Sequence, residues 1–335
     1  MRLARIDQSG DLGDLSRYTR YSHLVLANRI GFEAPDQLKR LAAQRPAGQT
    51  YIYYSPTDAA REWDYESGHF EARWTKHVYG KKLWLPVPEL TKRDRGSNPG
   101  ILYWTDSLPY RYAVNVTHPS FSRWWTSEVG MWHRGQEDLV GKTLGIFIDN
   151  VWDATSFPGR LSVCDADRDG AQDDVTLLRA SWQDSMAEAL AVLSYRLPGR
   201  PILQNTKVST YQRWGNGIYR EHWIPVNGLI FNASGRWREP TVHLIRSKSD
   251  ADSRRNALCW CLLRNDAIPA DDAFHIQRDP GGVDWIPEYD LDLGSGATAS
   301  NWIRYLETVG NEIRRQYERG SVYWNPTTGA GRIEA

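Results

Sequence analysis

Asp149 stands directly after the apolar run GIFI in the stretch GIFIDNVW, residues 145 to 152. Such a run reads as a buried strand, so the carboxylate falls where the chain leaves the core. Glu221 stands in the same relation to GIYR in NGIYREHW. In a parallel barrel the C-terminal strand ends converge on one mouth. Two carboxyl groups facing each other across that mouth are what glycosidic cleavage needs: one protonates the leaving oxygen, the other attacks carbon or activates water. A carboxyl separation of about 5 to 5.5 Å would mean retention and about 6.5 to 9.5 Å inversion. The plain alternative for either acid is an ion pair with a nearby arginine, or a helix cap. Asp153 competes with Asp149 but lies farther past the strand and reads as a loop or cap residue.

Other strand ends are polar too. Asn28, Tyr54, Asn205 and Arg246 carry hydrogen-bonding groups suited to a polyhydroxylated ligand. The chain holds 16 Trp and 17 Tyr against 7 Phe, a bias toward flat rings with a polar edge. Trp104, Trp152 and Trp223 are the candidate sugar-stacking rings, and Trp63, Trp74 and Trp84 could line a groove with Trp104 or pack a loop onto the fold.

A second constellation is DADRDGAQDD, residues 165 to 174. Asp165, Asp167 and Asp169 alternate and Gly170 follows, as in a calcium loop, with Asp173 at the ninth position. The twelfth is Thr176, so the bidentate glutamate of a full EF-hand is missing. The expectation is a structural Ca2+ near Asp149, with an acidic turn capping the next helix as the alternative. No organic cofactor is expected.

The elements that must position these groups follow from periodicity. Short apolar runs recur at 22–28, 50–56, 112–116, 145–150, 201–206, 217–223, 241–246 and 273–278. Helical patterns follow several of them: PDQLKRLAAQ, PSFSRWWTSEVGMWH, LLRASWQDSMAEALAVLSYRL and DADSRRNALCWCLLRN. The fold class is therefore α/β, a single (β/α)8 TIM-like barrel over residues 1–335, with 57–110 as an elaborated loop or subdomain after strand two.

Composition narrows the partners. Acidic and basic residues balance at 41 each, which favours neither nucleic acid nor a membrane surface and suits a neutral poly- or oligosaccharide. The 3 cysteines are too few for a disulfide framework and fit no zinc spacing. The N-terminus lacks the apolar core of a signal peptide, and no run of about 18 apolar residues occurs, so a soluble chain is expected, with a secreted or phage-associated location open.

GIFIDNVW with the Asp-rich segment, then PILQNT and the strand ending in Glu221, resembles the hypothetical glycosyl hydrolase family 15. NALCWCLLRNDAI, WIPEYDLDLG and RRQYERGSVYWNPTTG add to the likeness, which spans roughly residues 110 to 330. The resemblance implies a TIM-like barrel acting on a saccharide, distantly like retaining α-glycosidases. Carried over, it makes Asp149 the nucleophile and Glu221 the general acid/base. The sequence departs from the pattern in Arg220 and His222 beside Glu221 and in the added segment VNGLIFNASGRW. Two rivals stand beside a glycoside hydrolase: a non-catalytic carbohydrate-binding or phage tail-associated barrel, and a metal-dependent hydrolase. The scatter of His23, His222, His243 and His275 over separate strands weakens the last.

Overall fold

The structure, a computed structural model, describes residues 4–7, 10–60, 70–86, 103–105, 108–151, 164–206, 209–220, 238, 241–246, 250–264, 267–272, 286–294 and 306–335. Its strands in chain order begin with β1 (Ala4–Asp7), β2 (His23–Leu26), β3 (Gln49–Tyr54), β4 (Asp58–Ala60), β5 (Tyr103–Thr105) and β6 (Leu108–Ala113). They continue with β7 (Gly145–Ile148), β8 (Ile202–Gln204), β9 (Gly217–Arg220), β10 (His243–Arg246) and β11 (Ala267–Asp272). The last four are β12 (Leu306–Val309), β13 (Glu312–Tyr317), β14 (Gly320–Trp324) and β15 (Gly331–Glu334). The helices are α1 (Ile30–Glu33), α2 (Pro35–Gln44), α3 (Phe70–Gly80), α4 (Phe121–Val140), α5 (Val175–Arg196) and α6 (Ala251–Leu263).

Eight strands close a parallel barrel in the order β1, β2, β3, β7, β8, β9, β10, β11 and back to β1. The barrel expectation holds, and three strand assignments within it change. The first barrel strand is ARID, whose two charges among four residues hide it from a hydrophobic reading. Arg5 and Asp7 are nevertheless buried, because they face outward under a cover: the Arg5 guanidinium lies 5.1 Å from the Tyr18 ring, and the Tyr18 hydroxyl donates to Asp7 at 2.5 Å. The run at 112–116 is no barrel strand. It overlaps the end of β6, which sits between β4 and β5 in a three-stranded antiparallel sheet. The run at 273–278 lies outside the described residues, and the eighth barrel strand is β11, just before it. One strand gained and one lost leave β7 fourth and β9 sixth.

The lumen is filled by alternation. Ala4, Ile6, Val25, Tyr51, Phe147, Leu203, Tyr219 and Leu244 form one buried cluster, each from a barrel strand. Residues of the opposite parity, such as Leu24, Ile52, Ile146 and Ile202, join the larger cluster under the helices. Gly145 is glycine for a spatial reason: a Cβ there would come within 2.3 Å of the Tyr51 ring.

The helices obey the same division. In α2, Pro35 begins the helix and Leu38, Leu41 and Ala42 are buried, the spacing of one helical face. Asp174 caps α5 by accepting from the Thr176 and Leu177 N–H groups, and Gly141 ends α4 in a left-handed conformation at φ +66°. Between α4 and the barrel, His133 is wholly buried; desolvation pushes its imidazole down to about 4 although Glu137 pulls the other way. It is therefore neutral near pH 7. The four strands β12 to β15 form an antiparallel sheet whose Val322 and Trp324 pack with Cys259, Trp260 and Cys261 of α6. Among the described residues, no helix is long and apolar enough to cross a membrane.

Because the Tyr51 ring is enclosed, Gly145→Ala should cost about 1–3 kcal/mol of stability by overpacking. Denaturant melts of the variant would show it, and an unchanged midpoint would mean that the ring moves freely.

Candidate functional site

Asp149 takes the lumen parity one step beyond Phe147, and Asn205 does so beyond Leu203. The pairing of Ile148 with Gln204 sets the two polar groups side by side. Asn205 Nδ2 donates to Asp149 Oδ1 at 2.7 Å. The same oxygen accepts the Asn150 N–H at 2.9 Å, with the Asn150 backbone at φ +55°, a region that asparagine tolerates. From the other flank, Tyr53 near the end of β3 donates its hydroxyl to Asp149 Oδ2 at 2.5 Å. The ladder also continues past the strand ends: the Asp149 N–H reaches Tyr54 O at 2.9 Å and the Asn205 N–H reaches Ile148 O at 2.8 Å. The carboxylate is thus held through its backbone and through both oxygens.

Two influences oppose each other at this group. Loss of solvent pushes the Asp149 carboxyl above the ordinary carboxylate range. The donors Tyr53, Asn205 and Asn150 favour the anion, and the nearby charge of Asp58 adds to the upward push. Desolvation is the largest of these. A carboxylate so placed is poorly hydrated and fixed in direction, which suits it to nucleophilic or general-base chemistry.

The remaining sequence candidates are distributed as follows. Asn28 is buried beside the mouth, its backbone oxygen accepting from Trp132 Nε1 at 2.8 Å. Tyr54 does not face the mouth. Its parity turns it outward into the helix layer, where it is fully buried, packs edge-on against Phe70 and hydrogen-bonds His133 Nδ1 at 3.4 Å. Tyr53 takes the place expected for it, and strict alternation from Tyr51 would have found this residue. Trp104 lies in β5 and Arg246 ends β10. Trp84 is half-buried under the Arg168 guanidinium at 5.2 Å, and Trp74 is buried with its Nε1 donating to Asp58 O at 3.3 Å. Glu221, Trp152, Trp223, Asp153 and Trp63 lie outside the described residues.

In the Asp-rich loop, Asp165, Asp167 and Asp169 each bring a carboxylate oxygen within 4.8 Å of one another. Asp165 is buried and the other two are exposed. Asp173 instead turns back to accept the Ala166 N–H at 2.5 Å. Protein contacts fasten the loop: Asn115 Nδ2 donates to Ala166 O at 2.8 Å, and Arg168 Nη2 donates to Lys82 O at 2.6 Å. An all-oxygen donor set of this kind matches a hard cation rather than zinc.

No family model matches the sequence, and none of the curated proteins does. Solved structures do resemble the fold. An α-galactosidase from Lactobacillus brevis aligns at a TM-score of 0.53 and 9% identity, over 97% of this chain and 46% of that one. An α-amylase from Lactobacillus plantarum aligns at 0.51 and 8% identity, over 96% and 87%. The glycoside hydrolase domain of PelA from Pseudomonas aeruginosa aligns at 0.47 and 12%, over 80% and 92%. At such identities the two likenesses above 0.5 show the (β/α)8 fold alone.

Replacing Tyr53 with Phe removes one donor from a charged oxygen, an interaction of about 1.5–3 kcal/mol. The Asp149 carboxyl, already raised by burial, should then titrate about one to two pH units higher still. Infrared difference titration, with Asp149→Asn as the reference, would read the shift. A titration unmoved in Tyr53→Phe would mean that this hydroxyl does not stabilise the anion.

Proposed function

We propose that the protein is a glycoside hydrolase that cleaves a poly- or oligosaccharide with retention of configuration. One observation carries the reading: a desolvated, triply hydrogen-bonded carboxylate at the C-terminal end of the fourth barrel strand, the face on which barrel active sites form. Asp149 Oδ2, which among the described residues has a single donor against two on Oδ1, is the oxygen that attacks the anomeric carbon. Glu221 protonates the leaving oxygen as the glycosidic bond breaks. It then takes a proton from the water that displaces Asp149, which restores both carboxyl groups.

The partnership has a geometric basis. In the sequence Glu221 follows β9 directly and stands two residues after Tyr219, which faces the lumen. β9 is two places from β7 in the barrel, with β8 between them. Strands spaced at about 4.8 Å put the ends of β7 and β9 roughly 10 Å apart, a span compatible with the carboxyl separation that retention requires.

A structural Ca2+ held by Asp165, Asp167 and Asp169 accompanies this reading. It would offset the mutual repulsion of three carboxylates in the loop that leads from β7 to α5. The melting temperature should rise by several degrees in millimolar Ca2+ relative to chelator, and the response should vanish in Asp167→Asn. Equal melting temperatures would dismiss the ion.

The activity itself is tested by product release from a panel of bacterial and plant glycans. Glu221→Gln should lower kcat by about 10²–10⁴-fold, and Asp149→Asn by about 10⁴-fold or more. Turnover that survives both substitutions would refute the site. Binding without turnover in the wild type would favour a carbohydrate-binding barrel instead.

A further inference from the structure

Asn150 takes φ +55°, a left-handed conformation that is strained for a residue with a side chain and persists only where its surroundings hold it. The peptide groups on its two sides are gripped separately. On one side, the Asn150 N–H donates to Asp149 Oδ1 at 2.9 Å. On the other, the Asn150 carbonyl oxygen accepts the Thr57 hydroxyl at 3.3 Å, and the N–H of the same peptide, from Val151, donates to Asn205 O at 3.1 Å. Thr57 is wholly buried in the short link between β3 and β4. It is fixed in turn, because its carbonyl oxygen accepts the N–H of Val114, just beyond β6, at 2.9 Å. The contacts therefore run from the small antiparallel sheet through Thr57 and the Asn150 backbone to one oxygen of the carboxylate.

We propose that Thr57 is a positioning residue for Asp149, acting through the left-handed Asn150 backbone. The proposal rests on the glycosidase reading for the work that Asp149 does, and deepens it by naming what holds that group in its working geometry. Among the described residues no hydrogen bond joins Thr57 to Asp149 itself; the link is the Asn150 carbonyl. Removing the hydroxyl frees this carbonyl, and Asn150 can relax toward the right-handed or extended conformations that cost less. Its N–H then loses its direction toward Asp149 Oδ1. Asn205 remains on Oδ1 and Tyr53 on Oδ2, so the carboxylate stays in place but the anion loses one of its three donors. A hydroxyl that merely satisfied itself in a packed interior would behave differently: its loss would lower stability and leave the carboxylate unchanged.

The test compares Thr57→Val, which keeps the shape and removes the hydroxyl, with Thr57→Ser, which keeps the hydroxyl, both in the full chain. In Thr57→Val the Asp149 carboxyl should titrate higher than in the wild type by infrared difference. On a glycan that the wild type cleaves, kcat should fall about tenfold while KM changes by less than about twofold. Thr57→Ser should match the wild type in both readouts. Asn150→Val, whose β-branched side chain resists a left-handed backbone, should reproduce the upward titration shift, and it reads the same link if Thr57→Val does not fold. A wild-type titration in Thr57→Val or Asn150→Val, a lowered melting temperature with titration and kcat unmoved, or a Thr57→Ser variant as impaired as Thr57→Val would overturn the proposal. Because the titration needs no turnover, the two readings separate. An upward shift with no cleavage of any glycan would sink the hydrolase and keep the positioning role, whereas cleavage lost in Asp149→Asn and unchanged in Thr57→Val would do the reverse.

Discussion

Closing eight parallel strands on themselves fixes which side chains share the lumen, and everything at the mouth depends on that alternation. Phe147 faces inward at the middle of β7, so Gly145 below it and Asp149 above it share its direction. The same holds for Leu203 and Asn205 on β8, and for Tyr51 and Tyr53 on β3. Register then decides the contacts. Tyr53 is paired with Phe147, and Ile148 with Gln204, so the Tyr53 hydroxyl and the Asn205 amide reach Asp149 from its two flanks. A shift of one residue in either neighbour would turn the donor into the helix layer, where Tyr54 lies.

The energetic cost of this arrangement falls on Asp149. Withdrawing the carboxylate from water raises its proton affinity, and three donors offset part of that penalty. Such a balance is characteristic of reactive groups, which need to be ionised yet poorly solvated. Structural acids elsewhere in the chain are treated differently. Glu137 is held as an anion by Arg200 at 2.7 Å and lies below the ordinary range despite its desolvation. Among the described residues, the hydrogen-bond partners of Asp149 are a phenol, an amide and a backbone N–H, with no cation.

Much of this was legible in the sequence, for a definable reason. A fully buried strand such as GIFI is a continuous apolar run, and α2 spans the segment PDQLKRLAAQ that its helical spacing outlines. Three features were not legible. β1 contains two charges whose burial depends on Tyr18, eleven residues beyond Asp7, so no local window reveals it. The apolar run at 112–116 has the pattern of a strand, and periodicity does not say which sheet a strand joins. Asp58, Glu71 and Trp74 sit in β4 and α3, inside the segment after β3 that shows no clear period in the sequence. Tyr53 against Tyr54 was a matter of parity that the strand length alone left undecided.

The central claim is that Asp149 becomes covalently attached to the sugar during the reaction. It is tested most directly by quenching the enzyme with a set of activated 2-fluoro glycosides, which slow the second step, and mapping the adduct by peptide mass spectrometry. The account predicts a single glycosyl adduct on the peptide carrying Asp149, localised to its side chain. An adduct on another carboxylate, or steady turnover with inverted product and no adduct, would contradict it.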